Sequence, residues 1–313
     1  MTDAAIDGAG APATFTETRT ARDLFGVVDL RTMGLRSDLR GAVQTATHLV
    51  CVGVTGALVW LALPHWYLLV PAMVLHGLTL VTMFAPMHEC VHRTAFASAT
   101  LNDAVGWVAG VLCFYNSTYY RYFHAWHHRY TQDPARDPEL MFPKAASRLA
   151  YLLEISGFTF WYRRAIDYPR LALGQTAGLP FVPPNARRSI AISMSAQLLI
   201  YLVAAASIAM GYTAALFFWF LPALLAQPVL RAILVTEHTG CSQDQNGLTN
   251  TRTTLASLPI RVLMWNMPFH AEHHLFPSVP FHRLPALHLQ IRDRIMHVAP
   301  GYVATNQAIF RAL

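Results

Sequence analysis

The chain has 313 residues, of which 54% are hydrophobic and only 13% are charged. A typical soluble domain has about 25% charged residues, so this composition argues against a water-soluble globule. The net charge is +6, yet the basic residues avoid two long apolar blocks. Such a distribution is typical of a membrane protein with its basic residues on one side, and we expect no nucleic-acid partner.

The N-terminal segment differs from the rest of the chain in composition. Its first 26 residues are rich in Ala, Thr and Gly, and no basic stretch precedes an apolar core as in a signal peptide. We therefore predict that residues 1–40 form a disordered cytoplasmic tail. Residues 41–313 are predicted to form a single membrane domain.

Two blocks, residues 41–87 and 189–230, contain no Lys, Arg, Asp or Glu. A membrane-spanning helix needs about 20 apolar residues, so each block is long enough for two. Turn-forming residues divide the blocks at Pro64 and at Gly211. The predicted spans are residues 44–63, 67–87, 189–210 and 213–236.

The charges outside these spans predict the topology. Two helical hairpins would place the N-terminal tail, the middle segment and the C-terminal segment on one side, which is predicted to be the cytoplasm because it holds the basic residues outside the spans. Two shorter apolar stretches, 104–115 and 149–162, are predicted to lie in the membrane interface. The expected fold is an all-α membrane protein with four transmembrane helices and a cytoplasmic helical cap. The excess of Arg over Lys favours a bacterial inner membrane.

Histidine is the strongest chemical signal in the sequence. Eight of the 15 histidines lie in three short clusters, with the spacings of one helical face. Eight exceed the four ligands of a structural zinc site and suit two ions with open positions. Imidazole also binds Zn, Cu and Ni, so ligand type does not by itself select iron. The clustered residues are His88 and His92; His124, His127 and His128; and His270, His273 and His274.

Two other classes of protein use histidine in related patterns. The first cluster also has the HExxH pattern of zinc proteases, in which Glu89 would be the general base. A zinc membrane hydrolase would leave the other two clusters unexplained. A metal transporter would carry histidines inside its spans, and here only His48 and His76 lie well inside one. Both classes are less favoured than a dimetal oxidoreductase.

The three clusters have the order HxxxH, HxxHH and HxxHH, and the third continues through Phe276-Pro277 to Leu284-Pro285. In these motifs the chain resembles the membrane fatty acid desaturase superfamily, over about residues 87–287. The resemblance implies a four-span fold, a histidine-ligated diiron centre, dioxygen as co-substrate and removal of two hydrogens from an alkyl chain. It also implies a ninth ligand, His238. The acyl-CoA branch has an asparagine where this chain has Leu234, which puts membership of that branch in doubt.

Carboxylates near the clusters are candidates to accept hydrogen bonds from metal-bound imidazoles. They are Glu89, Asp137, Glu237 and Glu272, while Asp133 suits a turn or cap role equally well. No catalytic side chain beyond the metal ligands is expected, because no side-chain base can remove a hydrogen from an unactivated methylene.

The predicted partners follow from the same chemistry. The chain has no Rossmann fingerprint and no haem motif, so electrons must come from a separate donor of the ferredoxin, rubredoxin or cytochrome b5 type. A fatty acyl chain is the expected substrate, reaching the metal through an apolar tunnel. A hydroxylase or ketolase acting on a lipid, a carotenoid or a small metabolite is the alternative. Four arginines, Arg163, Arg164, Arg187 and Arg188, could bind an anionic headgroup or anchor the chain at the membrane surface.

Overall fold

The computed structural model describes residues 24, 26, 28–141 and 144–313. Most of the described chain is α-helical. The α-helices are, in chain order, α1 (Leu30–Met33), α2 (Asp38–Ala62), α3 (Trp66–Val81), α4 (Phe84–Val91), α5 (Ala99–Leu112), α6 (Ser117–Tyr130), α7 (Arg148–Ile155), α8 (Phe158–Ala172), α9 (Arg187–Ala209), α10 (Leu221–Leu234), α11 (Leu258–Leu263), α12 (His270–Leu275), α13 (Leu284–Ile291) and α14 (Tyr302–Ala312).

Four continuous helical segments are long and apolar enough to cross a membrane. They are Asp38–Ala62, Trp66–Val91, Pro184–Ala209 and Leu216–Leu234. Each corresponds to one predicted span, with ends that differ by a few residues. The predicted breaks are also present, since α2 ends just before Pro64 and α9 ends just before Gly211. The protein is therefore an integral membrane protein with four candidate spans.

The second span is not a single regular helix. It consists of α3 and α4, with an interruption at Thr82 and Met83. Pro86 provides the physical reason, because its ring nitrogen cannot donate to the carbonyl of residue 82 and its ring crowds that carbonyl. The break lies just before the first histidine cluster, which α4 carries.

Helix α3 packs against both α2 and α10. The contact with α10 is very close at Gly77, where an added Cβ would lie 2.0 Å from the Pro222 carbonyl oxygen. Helix α9, in the third candidate span, packs against α8 and α6, which lie outside the spans.

The C-terminal region contains the only β structure in the described part of the chain. Strands β1 (Arg252–Thr254) and β2 (His297–Ala299) pair in parallel, with Arg252 opposite His297. Helix α12, which carries the third histidine cluster, packs against β1. The expected all-α fold is thus interrupted by six extended residues that support the third cluster.

The predicted tail lies mostly outside the described residues. Within it, Leu24 and Val28 are buried in a hydrophobic cluster with Leu248 and Phe276. Helix α2 begins at Asp38, after a Ser37 N-cap whose hydroxyl accepts the Arg40 backbone N–H. The folded chain therefore extends into the segment that was assigned to the tail.

Candidate metal centre

Four segments carry the clustered histidines to one place. Helix α4 and its C-cap provide the first cluster, α6 the second and α12 the third. His238 lies just after α10, in the turn that follows the fourth span. All nine histidines that the sequence singled out meet there, and two groups of them have ligand atoms close enough together to hold a metal ion.

The first group unites the i,i+4 pairs of two helices. His88 with His92, and His124 with His128, each lie on one helical face, and His273 completes the group. One ligand atom from each of these five residues lies within 4.8 Å of those of the other four.

The second group contains His127, His238 and His274. Each adjacent pair in an HxxHH cluster is therefore divided between the groups, since consecutive helical residues point about 100° apart. His270 borders the second group, with its Nε2 3.3 Å from Nε2 of His238. The groups are neighbours, because the rings of His128 and His274 stack with centroids 4.1 Å apart.

The hydrogen bonds of the second group direct two ring lone pairs toward each other. His238 Nδ1 must donate to the Asn250 carbonyl oxygen, at 3.1 Å, because a carbonyl only accepts. His127 Nδ1 donates to Asp137 Oδ1 at 2.9 Å. In the neutral rings both Nε2 atoms are then acceptors, and they lie 3.2 Å apart. Two acceptors at this distance repel unless a cation lies between them.

These distances fit metal ligation. Imidazole nitrogens bound about 2.1 Å from one ion stand roughly 3 Å apart. In the first group, His128 Nε2 is 2.9 Å from His124 Nε2 and 3.1 Å from His273 Nε2. Five clustered histidines also have buried ring nitrogens without a hydrogen-bond partner in the described chain, namely His88, His92, His128, His270 and His274.

The protonation states favour a metal in the same way. Burial holds the pKa of His238 well below its usual range. Burial also lowers the pKa of His92 to about 3. Neutral imidazole is the form that binds metal, so these rings are ready to bind at neutral pH.

The carboxylates singled out by the sequence have different contacts. Asp137 accepts from His127, and Glu237 Oε2 lies 3.5 Å from His270 Nε2. Glu89 accepts the Phe281 backbone N–H at 2.9 Å. Glu272 accepts hydrogen bonds from His288 and from Thr253 on β1, which fixes α12 to the sheet. Asp133 forms an exposed ion pair with Arg136.

A cavity of about 930 Å³ extends to the histidines and includes His88, His124, His238 and His270 in its lining. The expected tunnel was apolar, and most of this lining is uncharged, but it also includes nine charged residues. Cations and carboxylates both contribute, from Lys144, Arg163, Arg164, Arg170 and Arg231 and from Glu139, Glu154, Asp167 and Glu237. Arg187 and Arg188 lie instead at the exposed start of α9.

A family profile described as fatty acid desaturase matches residues 59–306, which is most of the chain. The chain belongs to the fatty acid desaturase family. Membership agrees with the resemblance based on the three histidine clusters, and it identifies the protein as an oxidoreductase of lipid metabolism. The zinc hydrolase interpretation of HExxH loses its support, since one family pattern accounts for all three clusters.

Two curated relatives are desaturases. The chain is 26% identical over 261 residues to an sn-1 oleoyl-lipid 12-desaturase from Picosynechococcus sp., a match that covers 77% of this chain and 74% of that protein. It is also 26% identical over 258 residues to a dihydrorhizobitoxine desaturase from Bradyrhizobium elkanii, covering 76% and 70%. Relatives at equal identity thus have differently named substrates.

Two residues with a place in the site were missed by sequence reasoning. His288 lies outside the three clusters and was not singled out, although it is the partner of Glu272. Arg231 lies in a predicted span and was not singled out, although a charge at such a position marks a candidate functional residue. No feature of the sequence pointed to His288, whereas the position of Arg231 in an apolar segment could have identified it.

Proposed function

We propose that this protein is an oxygen-dependent desaturase in which two iron ions, held by nine histidines, oxidise an alkyl chain of the substrate. The observation that carries the proposal is the pair of adjacent histidine groups at the end of one cavity. Iron would supply the oxidising power, with dioxygen, to remove hydrogens from an unactivated C–H bond.

The first ion would be held by the five histidines of the first group. The second would be held by His127, His238 and His274, with His270 beside them. The asparagine of the acyl-CoA branch is replaced by Leu234, so the protein's side chain at that position supplies no polar atom to the second ion. Unligated positions leave room for dioxygen.

The chain's own residues would hold the ligands and exclude water. Asp137 and the Asn250 carbonyl fix the ring orientations of His127 and His238. Tyr120 stacks on His124 with ring centroids 5.0 Å apart and closes the site beside the cavity. A dry site prevents the loss of oxidising equivalents to water.

Two substrate classes have support. The family and the oleoyl-lipid relative favour the acyl chain of a lipid. The nine charged residues in the otherwise largely uncharged lining favour a second candidate, a smaller molecule with polar groups that these side chains could orient. Electrons would come from a separate donor protein, and the histidine site would face the cytoplasm, where such donors are found.

The test is product analysis in a bacterial host. Lipid extracts, and polar extracts of cells and medium, are compared by mass spectrometry between the wild type and a His127→Ala/His128→Ala variant. We expect a product lighter by two hydrogens that is absent from the variant, and about two irons per purified wild-type chain. A product heavier by one oxygen would change the assignment to a hydroxylase, and zinc without oxygen consumption would contradict the proposal.

A further inference from the structure

A second cavity lies at the start of the first candidate span, Asp38–Ala62. Its volume is about 250 Å³, and it shares no lining residue with the cavity that extends to the histidines. Three of its six described lining residues are arginines, and none carries a carboxylate. The lining residues are Leu35, Arg36, Ser37, Arg40, His282 and Arg283. This cavity is called the arginine pocket below.

The positive charges of the pocket are not neutralised by the described part of the chain. None of the three arginines forms an ion pair there. The Nε of Arg283 is buried and has no hydrogen-bond partner, and the same holds for Nδ1 of His282. An arginine Nε always carries a hydrogen, so Arg283 has a buried donor without an acceptor. Such a donor is costly unless a ligand provides the acceptor.

Carboxylates close to the pocket have other partners. Asp38, the first residue of α2, accepts a backbone N–H from the segment before α5 at 2.9 Å. Glu89 is near enough to Arg36 for an electrostatic interaction, but it is buried and accepts the Phe281 backbone N–H at 2.9 Å. Because Phe281 directly precedes His282, this hydrogen bond also shows that the pocket and the first histidine cluster lie at the same end of the molecule.

An exposed apolar face of α2 begins beside the pocket. Leu39 and Val43 are 73% and 57% exposed, and Val50 and Val54 are 63% and 57% exposed. At 100° per residue these four side chains lie within about 60° of one another around the helix. Because α2 is a candidate span, this face would contact the acyl chains of the bilayer. A positive pocket thus adjoins a surface suited to acyl chains.

We propose that the arginine pocket binds the phosphate of an anionic phospholipid, taken from the leaflet on the histidine side, with the acyl chains along α2. Guanidinium groups bind phosphate oxygens through parallel hydrogen bonds, and basic pockets at the ends of spans suit anionic headgroups. A free phosphate ion would leave the apolar face of α2 unused, and so would an acidic protein. The proposal concerns binding alone and does not depend on the chemistry of the histidine site.

The test is a lipid titration of the purified full-length protein in nonionic detergent, with bound lipids counted by native mass spectrometry. The probes are dioctanoyl phosphatidylglycerol, dioctanoyl phosphatidylcholine and dioctanoylglycerol, which share their acyl chains and differ in headgroup charge. Inorganic phosphate is added as a competitor. We expect one tightly bound copy of phosphatidylglycerol and weaker binding of the other two lipids. Arg283→Gln should weaken phosphatidylglycerol binding about tenfold or more, the effect of losing a charged hydrogen bond, and leave dioctanoylglycerol unchanged.

Three further variants separate this site from general attraction and from misfolding. Arg188 is an exposed arginine at the start of α9, at the end of another candidate span and outside the pocket, so Arg188→Gln should bind phosphatidylglycerol like the wild type. Arg40 is also exposed, and Arg40→Gln should weaken binding without disturbing the packing. Arg40→Lys keeps the charge and should be intermediate. Elution volume and Tm in lipid-free detergent establish that each variant is folded.

Equal losses in Arg188→Gln and in the two pocket variants to Gln would overturn the proposal, because they would show only a general attraction between charges. So would equal binding of phosphatidylglycerol and dioctanoylglycerol. Displacement of phosphatidylglycerol by inorganic phosphate of similar affinity would assign the pocket to a free anion. An acidic plant-type ferredoxin is titrated separately. If the pocket variants weaken its binding and leave lipid binding unchanged, the pocket would belong to an electron donor and the lipid proposal fails.

Discussion

At the scale of single residues, Asp137 is the carboxylate with the clearest connection to the candidate metal centre. It is fully buried beside His127 and also accepts backbone N–H groups from Gln132 and Glu139. The segment after α6 is thus folded around one carboxylate. This carboxylate holds the His127 ring with its Nε2 toward His238. Partners of this kind orient a ligand and strengthen its binding to metal.

We predict that Asp137→Asn weakens iron binding at the second group about 10- to 100-fold, as is usual when such a partner is lost. After dialysis against a mild chelator, iron should fall from two toward one per chain, measured by elemental analysis. Asp133→Asn is the matched control, because Asp133 is four residues away and pairs with the exposed Arg136. Retention of both irons by Asp137→Asn would show that His127 needs no carboxylate.

At the scale of elements, the contact between α3 and α10 connects the second and fourth spans. Helix α3 leads into α4 with His88, and α10 carries Arg231 and leads to His238. The relative position of the histidine clusters therefore depends on how closely these two helices approach. Gly77 permits that approach, since a Cβ there would overlap the Pro222 carbonyl.

We predict that Gly77→Ala separates α3 from α10, lowers Tm and reduces the iron retained at the second group. Gly53→Ala is the control, because an added Cβ on Gly53 of α2 meets no atom within 4 Å. Replacing glycine by alanine inside a helix favours the helix by about 0.5–1 kcal/mol, so the control should be neutral or stabilising. Equal Tm values for the two variants would contradict the packing argument.

At the scale of the whole molecule, the distribution of charge predicts which side of the membrane holds the histidine site. The basic residues lie outside the first three candidate spans, apart from residues at the segment ends, and Arg231 lies near the end of the fourth, three residues before Leu234. The positive-inside rule therefore predicts a cytoplasmic location for the histidines and the C-terminus.

We expect green fluorescent protein fused after Leu313 to fluoresce and alkaline phosphatase fused there to be inactive. The opposite pattern is expected for the same reporters inserted between Pro64 and His65, in the turn that joins α2 to α3. The phosphatase folds only outside the cytoplasm. Each reporter should therefore be active at one of the two positions, which shows that both fusions are expressed. An active phosphatase after Leu313 would refute the proposed orientation.

The sequence by itself determined the membrane spans and the clustered histidines. Both are local properties, since a span is a continuous apolar run and a shared helical face follows from spacing in one helix. The break at Thr82 could also have been inferred from Pro86.

Only the tertiary structure decided how those histidines are divided, because ligands from α4, α6 and α12 meet through the packing of helices far apart in sequence. Spacing alone did not show that His127 and His128 belong to different groups. The same packing brings Glu272 to His288 and turns Arg231 toward the cavity. Contacts between distant segments carry no periodicity in the chain, so a single sequence could not reveal the charge of the cavity.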